Sequence, residues 1–108
     1  RLVSLSCCAA LEALALGHAE HQEKLGALGA CGWMVDVMTR FRADEVLQYR
    51  ACRAVTALAK GHAANVQALE RAGVCEALRG VLSHGNPQSE LCMAAKSAVT
   101  AMSSGGPG

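Results

Sequence analysis

The sequence predicts an all-α fold, a solenoid segment built from a repeated three-helix unit. Three observations lead there. The chain repeats itself at an interval of 44 residues, its apolar residues recur at helical spacing between glycine and proline breaks, and its core candidates are small or aliphatic. Of 108 residues, 52% are hydrophobic and 18% charged, which is a globular composition and not a disordered one. Aromatic residues are limited to Trp33, Phe41 and Tyr49. Ala, Leu, Val, Met and Cys must therefore fill the core. They suit close helix packing, whereas strands favour β-branched and aromatic residues.

The repeat is visible in the letters. Residues 8–17 read CAALEALALG, 52–61 read CRAVTALAKG and 96–105 read KSAVTAMSSG, so that Gly17, Gly61 and Gly105 fall 44 residues apart. The match extends beyond this box. Cys8, Leu14, His18, Leu25, Gly29, Cys31 and Val37 recur as Cys52, Leu58, His62, Leu69, Gly73, Cys75 and Val81. Such a period excludes the tetratricopeptide and ankyrin patterns of roughly 33–34 residues. It falls in the range of HEAT and armadillo units, which carry two or three helices each.

The elements follow in order. The first helix spans Leu2–Leu16 and is apolar nearly all round, with only Ser4, Ser6 and Glu12 polar. Such a helix has to be buried on most sides, so packing against a preceding repeat or another copy of the chain is expected. Helices over Ala19–Leu28 and Ala30–Phe41 follow, parted by Gly29, and then a long one over Asp44–Lys60. In the next unit, Ala63–Ala72 carries Val66, Leu69 and Ala72 at three-residue spacing and stops at Gly73, a C-cap residue. Val74–Ser83 aligns Ala77, Leu78, Val81 and Leu82 on one stripe. The turn His84-Gly85-Asn86-Pro87 ends it, since Pro cannot continue a helix. The last helix, Gln88–Ser103, turns Leu91, Ala95, Ala98, Val99 and Met102 inward, and residues 105–108 form a flexible end. The organisation is a partial repeat over 1–17, repeats over 18–61 and 62–104, and a tail.

The stretch RAGVCEALRGVLSHGNPQSELCMAAKSAVTAM resembles the armadillo repeat, as does LGACGWMVDVM with the helix from Asp44. The resemblance covers about residues 2–104. It implies a right-handed α-solenoid segment of about two and a third repeats, whose third helices line a concave groove that receives extended peptides. The best-known groove of that family, in the nuclear-import adaptors, carries a Trp and an Asn four residues later on each third helix. Ala9, Arg53 and Ser97 stand at the Trp position and Ala13, Ala57 and Ala101 at the Asn position, so recognition of basic peptides by that ladder is not expected.

Helical spacing identifies the groove face. The middle third helix presents Tyr49, Arg50, Arg53, Thr56, Ala57 and Lys60; the last presents Met93, Ser97, Thr100, Ala101 and Ser104, with Lys96 alongside. Guanidinium groups form paired hydrogen bonds with carboxylates and phosphates. Tyr49, Arg50, Arg53, Lys60, Lys96 and Ser97 are therefore the candidate contacts for an extended, acidic or phosphorylated protein segment. The same basic stripe also fits a solvated helix face. The alternatives are a structural spacer inside a larger protein and, with less support, an RNA-binding helical repeat, for which stacking aromatics are scarce.

Other chemistry finds little footing. A net charge of +1 gives no general attraction to nucleic acid or anionic membrane. Glu12, His18 and Glu20 interrupt the best apolar stretch, and no signal-peptide pattern occurs. The chain starts at Arg1, which reads as an excerpt or a processed product. Six cysteines at helix-core spacing read as free thiols and point to a reducing interior, cytoplasmic or nuclear. His18 and His21 form an HxxH pair, but His18 matches His62 in a repeated turn, which favours a structural role. Cys31 and Cys75 are read as core filling, and Trp33, which replaces the Ala77 of the next unit, as packing across a repeat junction. Neither a phosphate-binding glycine loop nor a Cys–His nucleophile arrangement stands out, so no enzyme activity, cofactor or metal is expected.

Overall fold

The computed structural model describes residues 2–16, 18–84, 86 and 88–105, with the side chains of Leu2, His84 and Ser104 excepted. Seven helices account for nearly all of them: α1 (Leu2–Ala15), α2 (Ala19–Ala27), α3 (Ala30–Arg40), α4 (Glu45–Ala59), α5 (Ala63–Ala72), α6 (Val74–His84) and α7 (Glu90–Gly105). No strand occurs among the described residues.

Local chemistry sets the boundaries. The Asp44 carboxylate accepts a hydrogen bond from the Leu47 N–H at 3.1 Å, so Asp44 caps α4 and the helix proper begins one residue later. Ser89 Oγ accepts from the Cys92 N–H at 3.2 Å, which moves the start of α7 to Glu90 from the expected Gln88. His62 Nδ1 accepts from the Asn65 N–H at 3.2 Å and caps α5, whereas its counterpart His18 stands at the same place before α2 and makes no side-chain cap. Gly29 and Gly73 join the first helix of each unit to the second at φ 88° and 96°. An L side chain in that left-handed region costs about 1–2 kcal/mol. Helix α7 runs through Gly105, so the end expected to be flexible begins no earlier than residue 106. Residues 106–108, Gly17, and Gly85 and Pro87 of the predicted turn lie outside the described residues.

The helices stack by equivalence. Helix α4 lies between α1 and α7, α2 packs on α5, and α3 packs on α6. Met34, Met38, Leu47, Val55, Leu58, Leu69 and Leu78 are sealed in one core. Three buried amides donate to carbonyls at and near helix ends, among them Ala57 O, Leu58 O and Met38 O in the last turns of α4 and α3, where a helix leaves its carbonyls unpaired. Gln22 Nε2 donates to Ala57 O at 2.8 Å and Lys60 O at 2.9 Å. Asn65 Nδ2 donates to Leu58 O and Gln22 O, both at 2.9 Å. Gln48 Nε2 donates to Met38 O at 2.9 Å and Phe41 O at 2.8 Å. The end of α4 is thus gripped from α2 and α5 together. There α2 and α5 approach so closely that a Cβ on Gly26 would overlap Asn65 Oδ1.

Three expectations need correction, and one geometry explains them. Helix α1 is not buried on most sides: Cys8 and Ala15 are sealed, while Val3 is 74% and Leu14 49% exposed. Val99, read as inward, is 41% exposed, and Cys75, read as core, is exposed. Each lies where its counterpart one unit away meets a neighbouring unit. Cys31, for example, is buried against α5, with its Sγ 3.8 Å from Asn65 O. Among the described residues, no helix packs on Cys75 as α5 packs on Cys31. Trp33 is half-buried against the core, as is its counterpart Ala77.

Candidate functional site

The outward face of α4 floors a depression of about 380 Å³. Tyr49, Arg53, Thr56 and Ala57 form the floor; Glu12 and Leu16 close one side, and Glu90, Met93, Ala94 and Ser97 of α7 close the other. A second hollow of about 450 Å³ adjoins it towards the start of α4, between Glu45, Val46, Tyr49 and Arg50 and the residues Asn86, Ser89, Glu90 and Leu91. Tyr49 and Glu90 border both hollows. The floor arises because Tyr49, Arg53 and Ala57 recur every four residues along α4, so they share one face.

Four of the six candidate contacts are brought together here: Tyr49, Arg50, Arg53 and Ser97. Lys60 and Lys96 are exposed and do not line either hollow. Lys60 lies past the end of α4, where its carbonyl receives Gln22. Lys96 is the counterpart of Cys52 and sits beside the groove stripe on α7, on the side away from α4.

Charge in the groove is balanced and not simply basic. Arg53 Nε donates to Glu12 Oε2 at 2.8 Å, and its Nη1 donates to the Tyr49 hydroxyl oxygen at 2.9 Å. The Tyr49 hydrogen bond, followed by the bond and charge of Glu12, holds the guanidinium still more firmly protonated. Its carbon lies 5.6 Å from the Tyr49 ring centroid, and that of Arg50 lies 5.9 Å away, both within cation–π range. Among the described residues no carboxylate is in ion-pair range of Arg50. The apolar surface comes from Met93, Val46 and Leu16, which are 60%, 53% and 51% exposed.

Glu12 and Glu90 escaped the sequence reading, although both left a signal. Glu12 stands one period before Thr56, which had been placed on the groove face. Glu90 stands one period after Val46, one turn before Arg50 on the same stripe.

The thiols and imidazoles have structural surroundings. Burial pushes Cys8 up to about 11, helped by Cys7, and Cys52 up to about 12, helped by Cys92; burial raises Cys31 as well. A nucleophilic cysteine needs the opposite displacement. His21 Nδ1 lies 2.9 Å from Leu14 O and so donates to it, and the His18 ring is 5.0 Å from that of His21. His21 is the repeat counterpart of Asn65, and Leu14 of Leu58. The second histidine of the HxxH pair thus occupies the anchoring position that Asn65 fills one unit later. No helix among the described residues is long and apolar enough to cross a membrane. Compared with protein families, curated proteins and solved structures, the chain finds no match in any of the three.

Proposed function

We propose that this chain is a segment of an armadillo-type right-handed α-solenoid, about two and a third repeats long, and that it is a non-enzymatic scaffold holding an extended protein segment along the face of α1, α4 and α7. The observation that carries the reading is the pair of adjoining hollows over α4, walled by its two repeat counterparts. A ligand lying across them meets side chains from successive units, so several modest contacts add within one binding event. The stacking of α1, α4 and α7, of α2 on α5 and of α3 on α6 supports the solenoid reading.

Arg50 is the group that reads a carboxylate or phosphate on the segment, since Arg53 is already engaged by Glu12. Tyr49 and Met93 receive an apolar side chain of the same segment. The raised buried thiols support binding without covalent catalysis, and free cysteines support a reducing, intracellular setting.

The test is selection from a peptide-display library on the full chain, followed by affinity measurement on a Tyr49→Ala, Arg50→Glu variant of matched helicity. Selected peptides should lose at least about tenfold in affinity, equivalent to about 1.4 kcal/mol. Undiminished affinity for the variant would move binding off this face. Failure to select any peptide would favour the reading of these repeats as a spacer.

A further inference from the structure

Resting on the reading of the α4 face as a groove for a protein segment, we propose that the segment is of mixed charge: it carries an unphosphorylated acidic residue that Arg50 holds and, close by, a lysine or arginine that Glu90 holds. Three carboxylates, Glu12, Glu45 and Glu90, and two guanidiniums, Arg50 and Arg53, line the two hollows. Arg53 and Glu12 neutralise each other at 2.8 Å. Glu45, Arg50 and Glu90 remain, and none of them enters an ion pair among the described residues; the other described pair, Arg40–Asp36, lies within α3. A ligand therefore meets one more carboxylate than guanidinium, although the groove face of α4 taken alone is basic. A purely anionic segment is attracted by Arg50 and repelled by Glu45 and Glu90. A phosphate, with its second negative charge, is repelled more strongly. A segment with a cation beside its anion is attracted at both places, and complementary charge of this kind selects partners.

The repeat places the two charges diagonally. On α4, Val46 is followed one turn later by Arg50; their counterparts on α7 are Glu90 and Ala94. A unit with an apolar residue and then a cation thus lies beside a unit with an acid and then a small residue. Between the charges stand Tyr49, which borders both hollows, and its counterpart Met93. Val46 is 53% and Met93 60% exposed, so an apolar side chain of the segment has surface to cover there. Both charged groups start from defined positions. The Arg50 guanidinium carbon lies 5.9 Å from the Tyr49 ring centroid, and Glu90 belongs to the first turn of α7, whose start Ser89 caps. Packed helices lie roughly 8–10 Å apart, one turn rises about 5.4 Å, and an extended chain advances about 3.3 Å per residue, which sets the two charges of the segment roughly two to four residues apart. A carboxylate in a first helical turn also complements the helix dipole with no ligand present, so only an exchange of charge between Glu90 and the segment separates the two roles.

Fluorescence anisotropy of the full chain with labelled synthetic peptides tests this. Each peptide has a leucine between a lysine and an aspartate, with the spacing and order of the charges varied across the set, and purely acidic peptides are included. The tightest binder should be of mixed charge. It should weaken about threefold when its lysine becomes norleucine, and by a similar factor when its aspartate becomes phosphoserine, the scale of an exposed ion pair. Glu90→Gln should abolish the preference for lysine. Glu90→Lys should transfer that preference to a peptide with glutamate in the lysine's place, an exchange that helix stabilisation alone does not produce. Glu70→Gln, at an exposed acid outside both hollows, should leave every affinity unchanged. Binding that needs Tyr49 and Arg50 but ignores the peptide's lysine, or that favours phosphoserine or purely acidic peptides, overturns the mixed-charge proposal and leaves the groove reading in place. Binding that survives Tyr49→Ala, Arg50→Glu, or that is absent with every peptide, overturns both.

Discussion

Helices α2 and α5 occupy equivalent places in successive units, yet their anchors differ in depth. Asn65 on α5 is 3% exposed and donates to two carbonyls, Leu58 O on α4 and Gln22 O on α2. His21 on α2 is exposed and reaches one, Leu14 O. Both side chains do the same task, satisfying a carbonyl that the long helix before them leaves unpaired. The difference is the neighbour: α5 has α2 packed against it, whereas among the described residues no counterpart helix packs on the other side of α2. Burial at a given repeat position is therefore set by the next unit over and not by the residue itself. An amide replaces an imidazole where the space is dry and crowded, as the near-contact of Gly26 with Asn65 shows.

The most severe way to break the comparison is to truncate the two leucines whose carbonyls are being held. Leu58 is fully buried and Leu14 is 49% exposed. Leu58→Ala should cost about 3 kcal/mol in chemical denaturation, within the usual range for a core leucine. Leu14→Ala should cost less than about 1 kcal/mol. Equal costs would mean that the α1 face is covered even in the isolated chain.

A smaller effect is expected at the anchors. Asn65→Ala leaves the buried Leu58 O in the last turn of α4 without its donor and should cost about 2 kcal/mol, whereas His21→Ala exposes Leu14 O to water and should cost below about 1 kcal/mol. Hydrogen exchange at the last turn of α4 should speed up in the first variant and stay unchanged in the second.

The smallest effect concerns positions where the two units behave alike. Cys8 and Cys52 are equivalent and both buried, and their thiols are pushed up from 9.0 to about 11 and about 12. The unfolded chain releases these protons first as pH rises. The folded state therefore has its full stability below about pH 9 and loses it progressively as pH climbs through the folded values. By pH 10 the loss should be about 1 kcal/mol per thiol. Cys8→Ala and Cys52→Ala should each reduce the alkaline slope by a similar amount, whereas replacing exposed Cys75 should not change it.

Most of the secondary structure was legible because its signals are local. Gly29, Gly73 and the apolar periodicity mark helix boundaries within a residue or two. The errors at Asp44 and Gln88 came from side chains that cap a helix instead of joining it. The groove was half legible. Tyr49, Arg50, Arg53 and Ser97 followed from spacing on two helices. The Arg53–Glu12 pair did not, because it joins residues 41 apart and depends on how closely α1 and α4 stack.

The sequence by itself determined the helical periodicity, the 44-residue unit, and the all-helical architecture, because period-3.6 burial and left-handed glycines operate within a few residues of chain. Tertiary structure alone decided which apolar stripes are covered, that Arg53 is neutralised, and that Gln22 and Asn65 grip the end of α4. Those outcomes depend on distances between helices, and a repeated sequence carries the same residues at its covered positions and at its open ends.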